Sequence, residues 1–435
     1  MRYNQPYGTP EPPLGSYPRY VNGNPTTGTE GSIPPARAFD EDQIEIINVI
    51  ANVGLTPNHT ELDQLWQALQ ILIARKYITT PITKTVHGVG ADFPDLQAAM
   101  RWLSEYTITQ TGYVTFMVAP GKWVYTATVE LNHANMDRVA IQGGALLGAT
   151  PAPSNFQITG YHSSSDGTQH IIYLRSVYAT ELAFTGGVNG FLVNRSGCIL
   201  RYLLITGSQT IAAGYSAGTN GPNQGNGIQL NADILLDGIA IWGFGATGLN
   251  CGIHAAKMIT GLSFVASYNG WIGVNLRGGE FMAQFNSDVI LVSNGVCGID
   301  LWGGWGWFQR VHVRGHGPPN GNGAVQIADG GFLACNVGSV FSNNGHGVLI
   351  VGAASFLAQS NGSQGSYFDN NGSFGLYASG TCTVSVEYSS FIGNGTFAVI
   401  GNNGANIDAI GCPMNAPWTP AFNTYNTNAG AYMAH

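Results

Sequence analysis

Residues 263–279 read SFVASYNGWIGVNLRGG, and residues 287–304 read SDVILVSNGVCGIDLWGG. In each, a short apolar run leads into Asn-Gly, an alternating run follows, and two glycines close the unit. The pattern continues through NGNGAVQIADGG (320–331), SVFSNNGHGVLIVGA (339–353), SYFDNNGSFGLYASG (366–380) and SSFIGNGTFAVIGNN (389–403). The marker residues Asn269, Asn294, Asn320, Asn344, Asn371 and Asn394 are 25, 26, 24, 27 and 23 residues apart. A period of about 20–50 residues signals a solenoid or array. Alternation over four to six positions, as at Val348 and Ile350, is strand periodicity, and helical spacing is absent. A β-propeller blade runs to about 40–50 residues, so the shorter period argues against it. Asn and Gly at the turns tolerate positive φ. The repeat therefore predicts a mainly β protein, a right-handed parallel β-helix of about 25 residues per coil. Coils stack about 4.8 Å apart, each burying its inward residues against its neighbours. The marker asparagines stack their amides from coil to coil.

Outward from this stretch the signal weakens. YVTFMV (113–118) reads as a strand, and APGKWVYTATVEL (119–131) as a turn and two more. Residues 139–142, 156–160, 170–174, 182–184 and 199–205 continue the series less regularly. The polar stretch 207–227 reads as a corner insertion or a lid. PDLQAAMRWLSEY (94–106) reads as a helix that caps the first coil, whose backbone edge would otherwise lie unpaired. The expected organisation is an extended Pro-rich arm (1–39, with eight prolines), a helical hairpin (40–78), a linker with the capping helix (79–112), the β-helix (113–412) and a C-terminal cap (413–435). In the hairpin, Asp40 stands at the N-cap position, Gly54 ends the first helix and Thr60 begins the second. Trp418, Phe422, Tyr425 and Tyr432 in the tail suit a plug for the last coil better than packing around a threefold axis.

Composition narrows the function. Charged residues are 9% of the chain, against about 25% in typical soluble domains. The net charge of −8 is spread thinly, with no basic footprint for nucleic acid and no Lys/Arg run for anionic lipid. No apolar run reaches the roughly 18–20 residues that span a bilayer, so no membrane insertion is expected. The N-terminus MRYNQPYGTPEPPLG lacks a basic n-region and an apolar h-region, which predicts synthesis in the cytoplasm. The six cysteines form no CxxC pair and read as buried free thiols. No metal-ligand cluster and no cofactor motif stand out. A surface of Asn, Ser, Thr and aromatic residues suits a neutral glycan or another protein.

Residues 20–73, about an eighth of the chain, carry ordered motifs. An Asn-Gly-Xaa-Pro segment precedes Gly-Ser-Ile-Pro-Pro, then a helix with Glu-Ile-Xaa-Asn-Val-Ile. Gly-Leu-Thr-Pro and a second helix with Leu-Xaa-Gln-Ala-Leu-Gln follow. This segment resembles the N-terminal module of many phage and prophage tail-fibre proteins. GADFPDLQAAMRWL (90–103) followed by APGKWVY (119–125) resembles the start of the β-helix in tailspikes and related pectate-lyase-like proteins. The resemblance implies a virion protein made in the host cytoplasm. It also implies a homotrimer, docked by its N-terminus to baseplate or tail-tip proteins, with its flank turned to a bacterial surface polysaccharide. Tyr20, Asn22, Pro34, Pro35, Ile44, Ile47, Leu65 and Leu69 would make the virion attachment. The hairpin is too small to fold stably alone, which also favours packing against copies or a partner.

Chemistry is sparse. Between 231 and 412 the acids are Asp233, Asp237, Glu280, Asp288, Asp300, Asp329, Asp369, Glu387 and Asp408. Asp237 and Asp288 each precede a turn, two coils apart. That places them roughly 10 Å apart on one face, near the upper end of the inverting glycosidase geometry, and makes them the candidate catalytic pair. The competing reading pairs Asp288 with Arg314 in a surface salt bridge, because each stands six residues before its marker asparagine. Arg310, His312, Arg314 and His316 alternate and should share a face that can hold an acidic sugar. LWGGWGWFQR (301–310) sets Trp302, Trp305, Trp307 and Phe308 around glycines. Indoles held flat there would stack on sugar rings, with Arg310 and Arg314 nearby, or would fill a subunit interface. Trp242 and Trp271 extend the stripe or belong to the core. Three functions remain: a non-catalytic glycan-binding tail protein, a polysaccharide hydrolase or lyase on the same scaffold, and a structural adaptor carrying another fibre. The shortage of carboxylates favours the binder.

Overall fold

The computed structural model describes residues 26–28, 37–58, 60–74, 77–156, 164–208, 225–252, 255–258, 263–283, 287–316, 323–361, 364–409, 412 and 432–434. Tyr20, Asn22, Pro34, Pro35, Asn320, Trp418, Phe422 and Tyr425 lie outside the described residues, as does most of the 207–227 stretch. The chain divides into two units, Met1–Thr79 and Thr80–His435.

In the first unit, helices Arg37–Asn52 and Gln64–Ala74 pair through a small core of Ile50, Val53 and Ala68, flanked by Val49, Leu55 and Ile71. The first helix starts three residues before Asp40, two positions after Pro35 in sequence. Gly54 takes φ +89°, and Leu55 N–H bonds the Ile50 carbonyl, which closes the helix as its glycine predicts. The second helix begins at Gln64, four residues later than Thr60. The side chain of Gln64 reaches back to accept from Asn58 N–H at 2.7 Å and to donate to the Thr56 carbonyl at 2.8 Å. Ile44, Ile47, Leu65, Trp66, Leu69, Leu72 and Ile73 stay exposed.

The second unit is a parallel β-helix with three ladders. The first face stacks Pro81–Val86, Tyr113–Val118 and Val139–Gln142 on the opening halves of Cys198–Thr206 and Ile234–Trp242. Ala255–Met258, Glu280–Ala283, Trp305–Phe308, Phe332–Cys335, Ser355–Ala358, Thr383–Ser385, Asn406–Asp408 and Tyr432–Ala434 continue it. The second face runs from Gly121–Tyr125 and Thr180–Phe184 through the closing halves of the same two long strands. It goes on to Phe264–Ser267, Asp288–Val292, Arg310–Arg314 and Val340–Ser342. The third is a ten-stranded sheet from Val129–Leu131 to Phe397–Asn402. The ladders begin at Pro81, not at Tyr113. PITKTV alternates with polar residues, and its N-terminal proline hides it in sequence, yet it pairs residue for residue with YVTFMV. Inward side chains such as Phe116, Val274, Leu291, Phe308 and Ile350 form the dry core. Five of the six free cysteines are buried and Cys412 is partly so.

The Asn-Gly signal marks the corner between the second and third faces. Asn269 donates its amide to Asn294 Oδ1 at 2.9 Å across 25 residues; Asn344 bonds Asn371 at 3.2 Å across 27, and Asn371 bonds Asn394 at 3.1 Å across 23. The residue before each ladder position is left-handed, as at Tyr268 (55°), Ser293 (52°), Asn343 (59°) and Asn370 (56°). In the coil between Asn294 and Asn344 the ladder residue is His316. Its N–H bonds Asn344 Oδ1 at 3.1 Å, and Nε2 lies 3.2 Å from the Leu291 carbonyl, where Asn294 Nδ2 meets Ala266 one coil earlier. An imidazole thus stands in for an amide. The two flanking intervals become 22 and 28 residues, and the Asn-Gly at 320 falls after the ladder position.

One element runs against expectation. Residues 170–174 are helical, within Ser164–Val177. Short apolar runs do not separate strand from helix by period alone. His170, Ile171, Leu174 and Val177 are buried at helical spacing. With Phe156 and Tyr178, the helix covers the outward residues Leu204, Ala240, Trp242, Val265, Ile290 and Val292 of the second face. Trp242 therefore belongs to this outer core. At the start of the β-helix, Asp95 caps the helix Leu96–Leu103 by accepting from Ala98 N–H at 2.6 Å, and Leu96, Ala99 and Leu103 are buried.

Candidate functional site

The aromatic run wraps a corner. Gly303, at φ +63°, and Gly304 carry the chain from the third face to the first. A Cβ on Gly304 would collide with the Leu276 carbonyl oxygen of the coil above, so only glycine lets the turn close here. Trp302 ends the third-face strand and Trp305 opens the first-face strand. Trp302 is 40% exposed and Trp307 37%, whereas Phe308 points inward at 0%. Phe308 is therefore a core residue packed edge-on to Phe281 at 5.3 Å, not a ligand contact. The register of the strand decides this, since alternate residues take opposite faces. Trp305 lies 6.0 Å from Trp307 and stacks on Phe332 at 5.9 Å, with Glu280 in register above it. Trp271, 42% exposed, sits at the other end of the third face.

Polar groups frame Trp302. Its indole N–H donates to Asp300 Oδ1 at 2.7 Å, and the Arg277 guanidinium lies 5.7 Å from its ring centroid and 3.9 Å from Asp300. Asp300 continues an outward column of Gln229, Asn250 and Asn275, each in register with the next. Asn250 donates to Gln229 at 2.6 Å and Asn275 to Asn250 at 2.8 Å. The column then lacks a donor, because among the described residues the buried Oδ1 of Asn275 has no hydrogen-bond partner. Burial pushes the Asp300 carboxyl above the usual range, against the opposing pull of Trp302 and Arg277. None of the sequence candidates pointed to Asp300 or Arg277. The signal was the spacing of Asn275 and Asp300, 25 residues or one coil apart, which the period already contained.

No family model matches the chain, and no curated protein matches it. Among solved structures, the catalytic domain of GH87 alpha-1,3-glucanase in complex with nigerose is similar at 11% identity, over 82% of this chain and 68% of that one, with a TM-score of 0.38. An aspartate-to-alanine variant of that domain, also with nigerose, gives 10% identity, 83% and 68% coverage, and the same TM-score of 0.38.

Asp288 and the basic strand lie on the second face, whereas Asp237, in register with Arg201 and through it with Gln142, ends the first-face half of its strand. Asp288 meets Arg310 at 2.7 Å, in register one coil on, and Arg314 stands beside Val292 instead. Both Asp288 and Arg310 stand six residues before a ladder position, Asn294 and His316. Taking Asn320 as the marker shifts the expected partner by four residues to Arg314. Asp237 pairs with Arg201 at 3.3 Å. Through the register Ala240–Val265–Ile290, Asp237 falls one position before the column of Asp288, so the two carboxylates do not stack in a shared column. Burial would push Asp288 up, but the His312 imidazole and Arg310 outweigh it and hold the carboxyl below the usual range. Burial raises Asp237, with Arg201 opposing only in part. Arg310, His312 and Arg314 share the outward side, while His316 turns inside. The eight residues chosen for sugar contact and catalysis are thus divided among three faces and the core. Among the described residues, no group of three His, Cys, Asp or Glu could hold a metal ion.

Proposed function

We propose that this chain is a phage tail-fibre or tailspike subunit that binds a bacterial surface glycan through the Trp302–Trp305–Trp307 corner. The observation that carries the reading is two exposed indoles flanking a two-glycine corner: Trp302, beside Arg277 and the buried carboxyl of Asp300, and Trp307 on the next face. An indole combines a broad apolar face with a polar edge, and a sugar ring offers an apolar C–H face rimmed by hydroxyls. A few placed polar groups beside an apolar platform fix a ligand's orientation. Purified full-length protein should therefore co-elute with host surface polysaccharide in size exclusion with light scattering. Trp302→Ala with Trp307→Ala should abolish co-elution; unchanged co-elution would refute the site.

The tail assignment is supported by the resemblance of residues 20–73 to tail-fibre attachment modules. The exposed apolar residues of the hairpin, among them Ile44, Ile47, Leu65 and Leu69, fit subunit or tail docking. Three copies per particle of purified protein are expected by light scattering, and a monomeric mass contradicts the trimer. Particles lacking the protein should be complete yet fail to adsorb; loss of a second tail protein from them would point to an adaptor.

Depolymerisation is the second reading, and Asp300 favours it over Asp237 and Asp288. A carboxyl whose proton affinity is raised by burial, beside an exposed indole, has the character of a general acid. Polymer whose mass falls with time, and stays constant with Asp300→Asn, would establish cleavage.

A further inference from the structure

Arg314 stands out electrostatically. Asp288 is neutralised by Arg310 at 2.7 Å, yet no carboxylate among the described residues pairs with Arg314. Among the described residues nothing hydrogen-bonds the buried Nε of Arg314 or the buried Nδ1 of His312, a side chain only 8% exposed. Burial alone lowers the pKa of the Arg314 guanidinium, with no anion opposing. In register, Arg314 lies between Val292 and Ser342, neither of which carries charge. A guanidinium withdrawn from water without a counter-ion is costly. With Asp288, Arg310 and Arg314 counted, the cluster carries one unbalanced positive charge even when His312 is neutral.

We infer that Arg314 and His312, outward on the strand Arg310–Arg314, form a binding site for the carboxylate of an acidic sugar. The inference rests on the glycan-binding reading and adds a second contact on another face, with a stated substrate class. The planar fork of Arg314 takes both carboxylate oxygens. His312 has Asp288 Oδ1 at 3.6 Å from Nε2, which leaves Nδ1 for the ligand. Donation from both ring nitrogens needs the imidazolium form, which a bound carboxylate favours against the burial that lowers the His312 pKa. Arg310 holds Asp288 away from the incoming anion by satisfying it. Neutral sugars meet the same groups without the charge that the site lacks.

Isothermal titration of the full-length protein with sodium D-glucuronate, and with D-glucose as the neutral control, tests this. Glucuronate should bind and glucose should not. Arg314→Gln should weaken glucuronate binding at least tenfold, and Arg314→Lys should fall between, because a single ammonium cannot bind both oxygens side by side. His312→Asn, which keeps an N–H donor group but cannot become charged, provides a second variant should Arg314→Gln fail to fold, and should also weaken binding. Equal binding of glucuronate and glucose, or undiminished glucuronate binding in folded Arg314→Gln, would overturn the site. If wild-type protein ignores glucuronate but still retains host polysaccharide, this inference fails and the glycan-binding function stands. If it retains neither, the function itself fails.

Discussion

The second face under the helix Ser164–Val177 and the corner at Gly303-Gly304 are built from the same stacked strands but use their outward residues in opposite ways. Under the helix, Leu204, Ala240, Val265, Ile290 and Val292 face outward and are dry. At the corner, Trp302 and Trp307 face outward and stay wet. Inward residues look alike in both regions. The inward columns therefore report the fold, and the outward columns report what the surface is for.

The contrast can be broken most sharply at the helix. Leu174→Ala removes a fully buried side chain between helix and solenoid, and should cost about 2–5 kcal/mol. A loss below about 1 kcal/mol in denaturant unfolding would mean that the helix is not docked as described. Next comes the ladder. Asn344 accepts from His316 N–H and donates to Val313 O and Asn371 Oδ1. Asn344→Ala strands those groups and should cost about 1–3 kcal/mol or more. A neutral effect would reduce the ladder to a passive corner.

The carboxyls should give opposite pH signatures. Asp288 is depressed in the folded state, so its contribution is present above the unfolded value, about 3.9, and is lost as pH falls through the lower folded value. Asp300 is raised, so its favourable protonated state is fully present below about 3.9 and is lost as pH rises through the higher folded value. In stability–pH curves over the acid range, Asp288→Asn should remove an acid-side loss and Asp300→Asn an acid-side gain. Changes of the same sign would contradict the assigned environments. The smallest effect is expected at Trp307→Ala. Its stability should stay within about 0.5 kcal/mol of wild type, while polysaccharide retention drops. A large destabilisation would make Trp307 a packing residue.

The stacked coil, its Asn-Gly turns and its Asn ladder were legible because each rests on a local constraint repeated every coil. Strand alternation sorts residues inward or outward, and a left-handed residue before each ladder position marks the corner. The helix Ser164–Val177 was not legible, since HIIYL is as apolar as the strands around it and its partners, Val265 and Ile290, lie far along the chain. Phe308 reads as one more aromatic in a surface cluster until strand parity sends it inward.

What the amino-acid order alone could establish was the architecture and the exposure of the tryptophan corner, because period, alternation and glycine placement act within a few residues. Which residues become neighbours across coils was settled only in three dimensions. Backbone ladders and the amide corner lock the register wherever the coil closes. His316 therefore takes the place suggested for Asn320, Asp288 meets Arg310 in place of Arg314, and Arg314 is left without a carboxylate partner among the described residues. Burial then shifts the acidity of Asp300, because the cost of removing charge from water depends on what surrounds the group and not on its place in the sequence.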